Sequence, residues 1–579
     1  MNKRRTARPH NPLLESSLQT WRARLVLVLL LTGSLVLVAR AAWLQGFNHE
    51  TLQAKGEQRF ARVVPIPASR GRITDRHGDI LAVSTPVRAI WAAPREAQFE
   101  PAEARKLAAL LGMDVEALNR LLSSTRDRIY LHRQVAPDVA RRIAELRLPG
   151  IGQDQAYKRF YPGGEVWAHV LGFTNIDDRG QEGMELAFDS RLRGEPGARR
   201  VIRDRRGEII EEVGSIRAPR DGEDVALSID KQIQFIAHTA LRQAMTEHQA
   251  AAGAVVVLDV RSGELLALVN APTFNPNNRS TLSGAQLRNR AITDLYEPGS
   301  TMKPFIGALA MEMRRVTPDT LIDTEGGRMT IGRATISDVR NHGKLTVSQV
   351  IEKSSNIGTA RIALQMDPQD MWNMFSSLGL GVPLELGFPG AAGGLLRPAS
   401  SWRPIEQATM SYGHGLSTTL MHMARAYLVF ARDGDLLPLS LLRTETPPEG
   451  RRVFSVATAR AMREVLEKAA GPQGTAPRAR VTGYRVAGKT GTAHKVEAGR
   501  YTDKYVSSFV GFAPASDPRI VVAVMIDEPA AGQHFGGAVA APVFSRVTEA
   551  SLRALGVAPD APLVPLHLAE TEQTPRGKM

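Results

Sequence analysis

Glu297-Pro298-Gly299-Ser300-Thr301-Met302-Lys303-Pro304-Phe305 is the stretch whose reading decides the fold. Pro298 and Gly299 interrupt whatever precedes them. The run that follows, Phe305-Ile306-Gly307-Ala308-Leu309-Ala310-Met311-Glu312-Met313, is rich in helix formers. The spacing therefore predicts Ser300 at or near a helix N-terminus, with Lys303 one turn further along the same face. An amine buried in an apolar pocket loses its charge, because burial disfavours the ammonium form. A neutral lysine beside a serine is a base beside a nucleophile. The helix start adds partial positive charge where an oxyanion would develop. Alone, Ser-x-x-Lys recurs by chance, mostly as an exposed first turn, so its companions carry the weight.

Two companions follow. Lys353-Ser354-Ser355-Asn356-Ile357-Gly358 holds a Ser-x-Asn, and Gly488-Lys489-Thr490-Gly491-Thr492-Ala493 holds a Lys-Thr-Gly. Each is short enough to be accidental: Ser354 and Asn356 could cap a helix, and Lys489 to Gly491 could be an edge-strand turn. The ordered triple, on a helix start, a loop among helices and a strand, is far more specific than any member.

Working outward, strands are expected on both sides of a helical middle. Asp224 to Asp230 reads as a strand and Lys231 to Glu247 as a helix. Ala254 to Val260 and Glu264 to Val269, joined through Arg261-Ser262-Gly263, read as a hairpin. Residues 345–430 read as mostly helical. Tyr484 to Lys495, Ser507 to Phe512 and Arg519 to Ile526 read as strands. Helices segregated from an antiparallel sheet make an α+β domain over 223–556.

The preceding stretch, 45–222, holds no catalytic constellation and reads as a non-catalytic module. It begins with an amphipathic stretch. Within it, Asp75 to Gly78 reads as a turn between short strands, and 101–122 and 137–146 show helical spacing. Residues 25–44 form an apolar run about one bilayer thick, interrupted by Arg40 and closed by Trp43-Leu44. Residues 1–24 are polar and basic. The run reads as an uncleaved anchor with a cytoplasmic N-terminus, although Ala39-Arg40-Ala41 also fits a signal-peptide cleavage pattern. Residues 557–579 read as a Pro-rich, charged, flexible tail.

Composition narrows the chemistry. The chain has 579 residues, 43% apolar and 23% charged, which is ample for several folded domains. No cysteine is present, so disulfides, thiolate metal sites and cysteine nucleophiles are excluded. The net charge is +14; the basic residues are scattered, with much of the basicity at the N-terminus and in 199–220, and no dense basic stripe or zinc-finger spacing is present. Attraction to an anionic membrane or polymer fits it better than nucleic acid.

The three motifs together resemble those of the penicillin-binding proteins, and more narrowly the class B, septal division-type transpeptidases. Arg70-Gly71-Arg72-Ile73-Thr74-Asp75-Arg76-His77-Gly78, Arg159-Phe160-Tyr161-Pro162 and Gly180 to Glu185 are similar to that family's pedestal motifs. Tyr412-Gly413-His414-Gly415 and Asp527-Glu528-Pro529 add to the likeness, with one departure: His414 stands where a second tyrosine is expected. The resemblance implies a transpeptidase domain of the penicillin-binding and serine β-lactamase type behind an extended α+β pedestal, or dimerisation-like, domain and one membrane helix.

It also implies an activity: acyl transfer from D-Ala-D-Ala stem peptides to a diamino-acid acceptor, blocked by β-lactams that acylate Ser300. In the roles so implied, Lys303 is the base, Ser354 lies close to Lys489 and relays a proton, and Asn356 orients Lys303 and the stem peptide. Lys489, Thr490 and Thr492 bind the terminal carboxylate around Gly491, and the backbone N–H groups of Ser300 and Thr492 form an oxyanion hole. Tyr412, His414 and Phe535 either line the pocket or pack beneath it. No cofactor and no metal are implied. The implied partners are a membrane glycan polymerase, other division proteins and the cytoplasmic membrane. The competing readings are a D,D-carboxypeptidase or β-lactamase that gives the acyl group to water, a β-lactam sensor, and a division scaffold with a vestigial serine. No convincing Glu-bearing loop of the β-lactamase kind lies between Asn356 and Lys489.

Overall fold

The run Ala252–Leu258 is apolar throughout, so a strand made from it must be covered on both faces. In the computed structural model it forms an interior strand of a five-stranded antiparallel sheet. The structure describes residues 20–47, 61–203, 209–497 and 499–561. The basic leader up to residue 19, residues 48–60 of the amphipathic stretch, and the tail from 562 lie outside the described residues.

The sheet's strands are β1 (Ala252–Asp259), β2 (Leu265–Ala271), β3 (Ala487–Glu497), β4 (Arg500–Ala513) and β5 (Ile520–Asp527), in the spatial order β2-β1-β5-β4-β3. Side chains alternate between the faces. Val255 and Val257 of β1, with Val522 and Val524 of β5, pack against helices α1 (Lys231–Glu247) and α6 (Gly536–Ala554). Ala254, Val256 and Leu258, with Val521 and Ala523, face the larger core. That core is built on the helices between the two halves of the sheet: α2 (Lys303–Glu312), α3 (Asn356–Ala363), α4 (Pro404–Ser411) and α5 (Val456–Ala470) among them. Asp230 starts α1 by accepting the N–H groups of Gln232 and Ile233.

The described residues cluster into two units. One takes in 68–88, 155–195 and everything from 220 onward, and so contains the sheet. Its early segments carry the three motifs of the N-terminal half, which meet at one buried carboxylate. Glu185 accepts Arg70 Nε at 2.7 Å and Arg159 Nε at 2.6 Å. All three side chains are at most 1% exposed. Arg70 also reaches Asp189 at 2.7 Å, and Arg159 donates to Gly71 O at 2.8 Å.

The other unit, the described residues within 20–67, 89–154 and 196–219, holds a three-stranded antiparallel sheet (Ala61–Ile66, Gly197–Arg203, Ile209–Arg217) and the helices Pro101–Leu111, Val115–Leu122 and Pro137–Glu145. The helices gather Leu107, Leu118 and Ile143 into a small core. Thr20–Ala42 is one continuous helix with no buried residue, long and apolar enough to cross a membrane once.

Two local expectations change. The strand expected over Asp224 to Asp230 is confined to Val225–Ala226, because its partner Ile73–Thr74 is itself only two residues long. The strand expected from Tyr484 starts at Ala487, because Val481 and Tyr484 close a tight turn first.

Candidate active site

Ser300 does not lie in the α-helix proper. It sits in a 3-10 turn, Gly299–Met302, that leads directly into α2 at Lys303. Gly299 has φ +58°, and its N–H is bonded to Gly413 O at 3.2 Å. The turn is held from below by Tyr427, whose hydroxyl donates to Thr301 O at 2.9 Å while its ring packs edge-on against Phe305. Ser300 itself is half-buried.

Lys303 is fully buried, and its Nζ has three neighbours: Ser354 O at 2.5 Å, Asn356 Oδ1 at 2.7 Å and Ser354 Oγ at 3.1 Å. Burial, and then the charge of Lys489, push its pKa well below the ordinary lysine value, against a smaller opposing pull from Asp338. The neutral amine is thereby favoured. It has two hydrogens for the carbonyl oxygens and one lone pair left to take a hydroxyl proton.

The Ser354 loop is pinned by groups that local sequence does not announce. Ser354 has φ +62°, a region that costs a non-glycine residue of the order of 1–3 kcal/mol. Ser355 caps α3 by accepting Gly358 N. Asp338, at the end of a hairpin formed by Arg328–Ile331 and Ala334–Ser337, clamps the same turn. Its carboxylate accepts Ser355 Oγ at 2.5 Å, Asn356 N at 2.6 Å and Ile357 N at 3.1 Å.

Lys489, on β3, is also fully buried, and burial lowers its pKa to about 7. Its ammonium donates to Thr490 Oγ1 at 3.1 Å and Thr475 Oγ1 at 3.3 Å, and those two hydroxyls are 2.9 Å apart. Among the described residues Ser354 Oγ is bonded to Lys303 and not to Lys489. The threonine hydroxyls take the hydrogen bonds of the second ammonium, whose charge still reaches Lys303, the residue Ser354 touches. Thr475, like Asp338, belongs to no motif that singles it out.

β3 runs against the serine turn. A Cβ on Gly491 would come within 2.9 Å of Pro298 O and 2.3 Å of Ser508 Oγ, so only glycine allows this approach. Thr492 Oγ1 accepts Gly536 N at 3.0 Å, which leaves its own proton free to donate into the site. Among the described residues β3 pairs only with β4, which leaves its other edge for an added strand.

The remaining candidates divide. Tyr412 is buried and packs with Ile336, Ile357 and Ala360 beneath α3. His414 lies nearer the surface and places Nδ1 2.9 Å from Glu297 Oε2. Phe535 is exposed and ends a ring stack through His534, Tyr505 and His494.

The arrangement is a half-buried serine on the turn that leads to one buried lysine, with a second buried lysine on the strand packed against that turn, both lysines of lowered pKa. Comparison with known proteins agrees with it: residues 253–549 match the penicillin binding protein transpeptidase domain. The chain belongs to the penicillin-binding protein family. Residues 65–227 match the penicillin-binding protein dimerisation domain of the same family. Among penicillin-binding relatives, the chain is 40% identical to the peptidoglycan D,D-transpeptidase FtsI of Escherichia coli over 96% of both chains. It is 42% identical to the probable peptidoglycan D,D-transpeptidase PbpC of Pseudomonas aeruginosa, over 94% of this chain and 97% of the relative. The transpeptidase domain of penicillin-binding protein 3 from Burkholderia pseudomallei superposes with a TM-score of 0.54 at 51% identity, covering 58% of this chain and 98% of that one. A peptidoglycan synthetase from Bifidobacterium adolescentis gives a TM-score of 0.70 at 26% identity, over 87% of this chain and 98% of the other.

Proposed function

We propose that this chain is a membrane-anchored peptidoglycan D,D-transpeptidase that cross-links stem peptides during septal wall synthesis. The observation that carries the reading is the fully buried Lys303, bonded to Ser354 and Asn356 one turn from Ser300, with Lys489 near enough to depress its charge. Ser300 Oγ attacks the carbonyl between the two D-alanines, and its proton passes to neutral Lys303. Ser354, bonded to Lys303 Nζ, hands that proton to the departing D-alanine as the C–N bond breaks. The backbone N–H groups of Ser300 and Thr492 hold the oxyanion, and losing one such donor typically costs roughly 10²–10³ in rate.

Lys489, with the free proton of Thr492, takes the substrate carboxylate, and Thr490 acts chiefly by fixing the Lys489 ammonium. The open edge of β3 receives the stem peptide as a sixth strand. An amine on a second stem then takes the acyl group. β-Lactams enter by the same acylation and stop there.

The domains follow from this reading: a cytoplasmic tail over 1–24, an anchor over 25–44, a pedestal over 45–222, the transpeptidase domain over 223–556 and a tail over 557–579. Basic residues ahead of the apolar helix support a cytoplasmic N-terminus and a periplasmic catalytic domain. A membrane glycan polymerase of the division type is the partner this role requires.

Fluorescent penicillin should label the full-length protein covalently, and Ser300→Ala should abolish the label. Labelling that survives the substitution would overturn the assignment. A fluorescent fusion should gather at midcell; an even spread along the side wall would point to elongation instead.

A further inference from the structure

His414 and Glu297 form an imidazole–carboxylate pair beside the serine, and the steps above leave it without a task. Glu297 Oε2 lies 2.9 Å from His414 Nδ1. A carboxylate only accepts, so the proton between them sits on Nδ1 and the lone pair sits on Nε2. Glu297 is fixed as an anion: burial pushes its carboxyl up, but hydrogen bonds from His414, Gly415 N and Tyr501 outweigh it and hold it below its ordinary value. The ring is caged edge-on by Tyr412 at 5.4 Å and Tyr501 at 6.2 Å between centroids. Its Nε2 has no hydrogen-bond partner among the described residues, and the side chain is 26% exposed. An oriented imidazole with a free, accessible lone pair is the form in which histidine accepts protons.

Its place matters as much. Gly413, the residue before His414, packs so closely on the serine turn that a Cβ there would stand 2.2 Å from Gly299 O. Glu297 is three residues ahead of Ser300. The pair therefore borders the turn that carries Ser300, while the single lone pair of Lys303 serves the serine's own proton and Lys489 is bonded to two threonine hydroxyls.

We propose that His414, held by Glu297, is the general base that removes the surplus proton from the acceptor amine. The proposal rests on the acyl-transfer reading given above. A lysine-like acceptor amine has a pKa near 10.4, so roughly one molecule in 2,500 is neutral at pH 7. The ammonium has no lone pair and cannot attack. His414 Nε2 takes one proton from it and passes that proton to water. The neutral nitrogen then forms the C–N bond as the C–Oγ bond to Ser300 breaks. The second proton shed by nitrogen returns to Ser300 Oγ through Lys303 and Ser354. Among the described residues the titratable groups facing the imidazole are Glu297, Tyr412 and Tyr501, and only Glu297 is hydrogen-bonded to it. A tyrosine at 414, ordinarily protonated, offers no comparable base near neutrality.

The test uses the full-length protein in detergent, acylated by a soluble acyl-D-alanyl thioester, with two competing acceptors. D-Alanine is an ammonium at pH 7.5, whereas hydroxylamine is already neutral. For His414→Gln and for His414→Tyr, the ratio of transfer to D-alanine over transfer to hydroxylamine should fall on the order of a hundredfold. An unchanged ratio, or equal loss to both acceptors, would overturn the assignment of the base. Absence of any covalent acylation in the unsubstituted protein would instead overturn the transpeptidase reading on which it rests.

Discussion

Asp338 accepts the backbone N–H of Asn356 at 2.6 Å, so the loop that holds Lys303 is itself held by a carboxylate from a separate hairpin. Asp338→Ala removes an acceptor from both Ser355 Oγ and the first N–H groups of α3. The lost cap should cost about 1 kcal/mol of stability. Acylation by penicillin should slow by roughly tenfold to a hundredfold, since small misplacements of a positioned base are costly. Asp338 also opposes the lowering of the Lys303 pKa, so its removal should move the acid limb of the acylation rate to lower pH. Stopped-flow acylation across pH, with Asp338→Asn as the conservative variant expected to recover much of the rate, checks both effects.

Lys489→Met should stabilise the fold while abolishing acylation. The folded pKa of about 7 lies below the unfolded value of 10.5, so the unfolded chain binds more protons between those limits and stability rises with pH across that window. The cost of burying the lysine is therefore fully present at pH 7 and below. Thr475 and Thr490 remain bonded to each other after the change, so no hydroxyl is orphaned. A gain of about 2–4 kcal/mol is expected at pH 6–7, shrinking towards zero near pH 10.5. Chemical unfolding at several pH values reads it.

Glu185→Ala should destabilise strongly without touching the serine. It leaves the guanidinium groups of Arg70 and Arg159 buried and without their shared carboxylate. Breaking a buried ion pair in this way costs about 3–5 kcal/mol. A large drop in the thermal midpoint is the expected reading.

Gly413→Ala and Gly415→Ala separate strain from collision. Both positions have positive φ, +85° and +82°, and each alanine should cost about 1–2 kcal/mol for that alone. Only at 413 does the new Cβ strike backbone, 2.2 Å from Gly299 O; at 415 its nearest neighbour is 3.9 Å away. Penicillin acylation should slow more than tenfold in Gly413→Ala and change little in Gly415→Ala.

The sheet was legible from sequence because its residues obey a simple rule. Ala254 to Leu258 is continuously apolar, and such a strand needs cover on both faces. The serine, the two lysines and the Ser-x-Asn loop were legible because each motif is local. Asp338 and Thr475 were not, since each acts on a residue distant in the chain and nothing beside it in sequence marks the role. Glu185 lay within a recognised motif, yet its convergence with Arg70 and Arg159 depends on three segments meeting in space. The hydrogen-bond partners of Lys489 were not fully legible for a related reason: which acceptor an ammonium takes depends on the hydroxyls that reach it, and Thr475 lies outside the Lys-Thr-Gly motif.

The open edge of β3 bears on solubility. Unpaired backbone N–H and C=O groups that welcome a stem peptide would equally welcome a strand from a second molecule, the usual route to aggregation. The far end of the β3–β4 hairpin carries Lys495, Glu497 and Lys504, with Lys504 paired to Glu497 at 2.9 Å and Lys495 to Glu528 at 2.6 Å. Charges there discourage a long intermolecular ladder, so productive pairing is restricted to the few residues around Lys489 to Ala493. A working surface of this kind must stay adhesive over a short length and repellent beyond it.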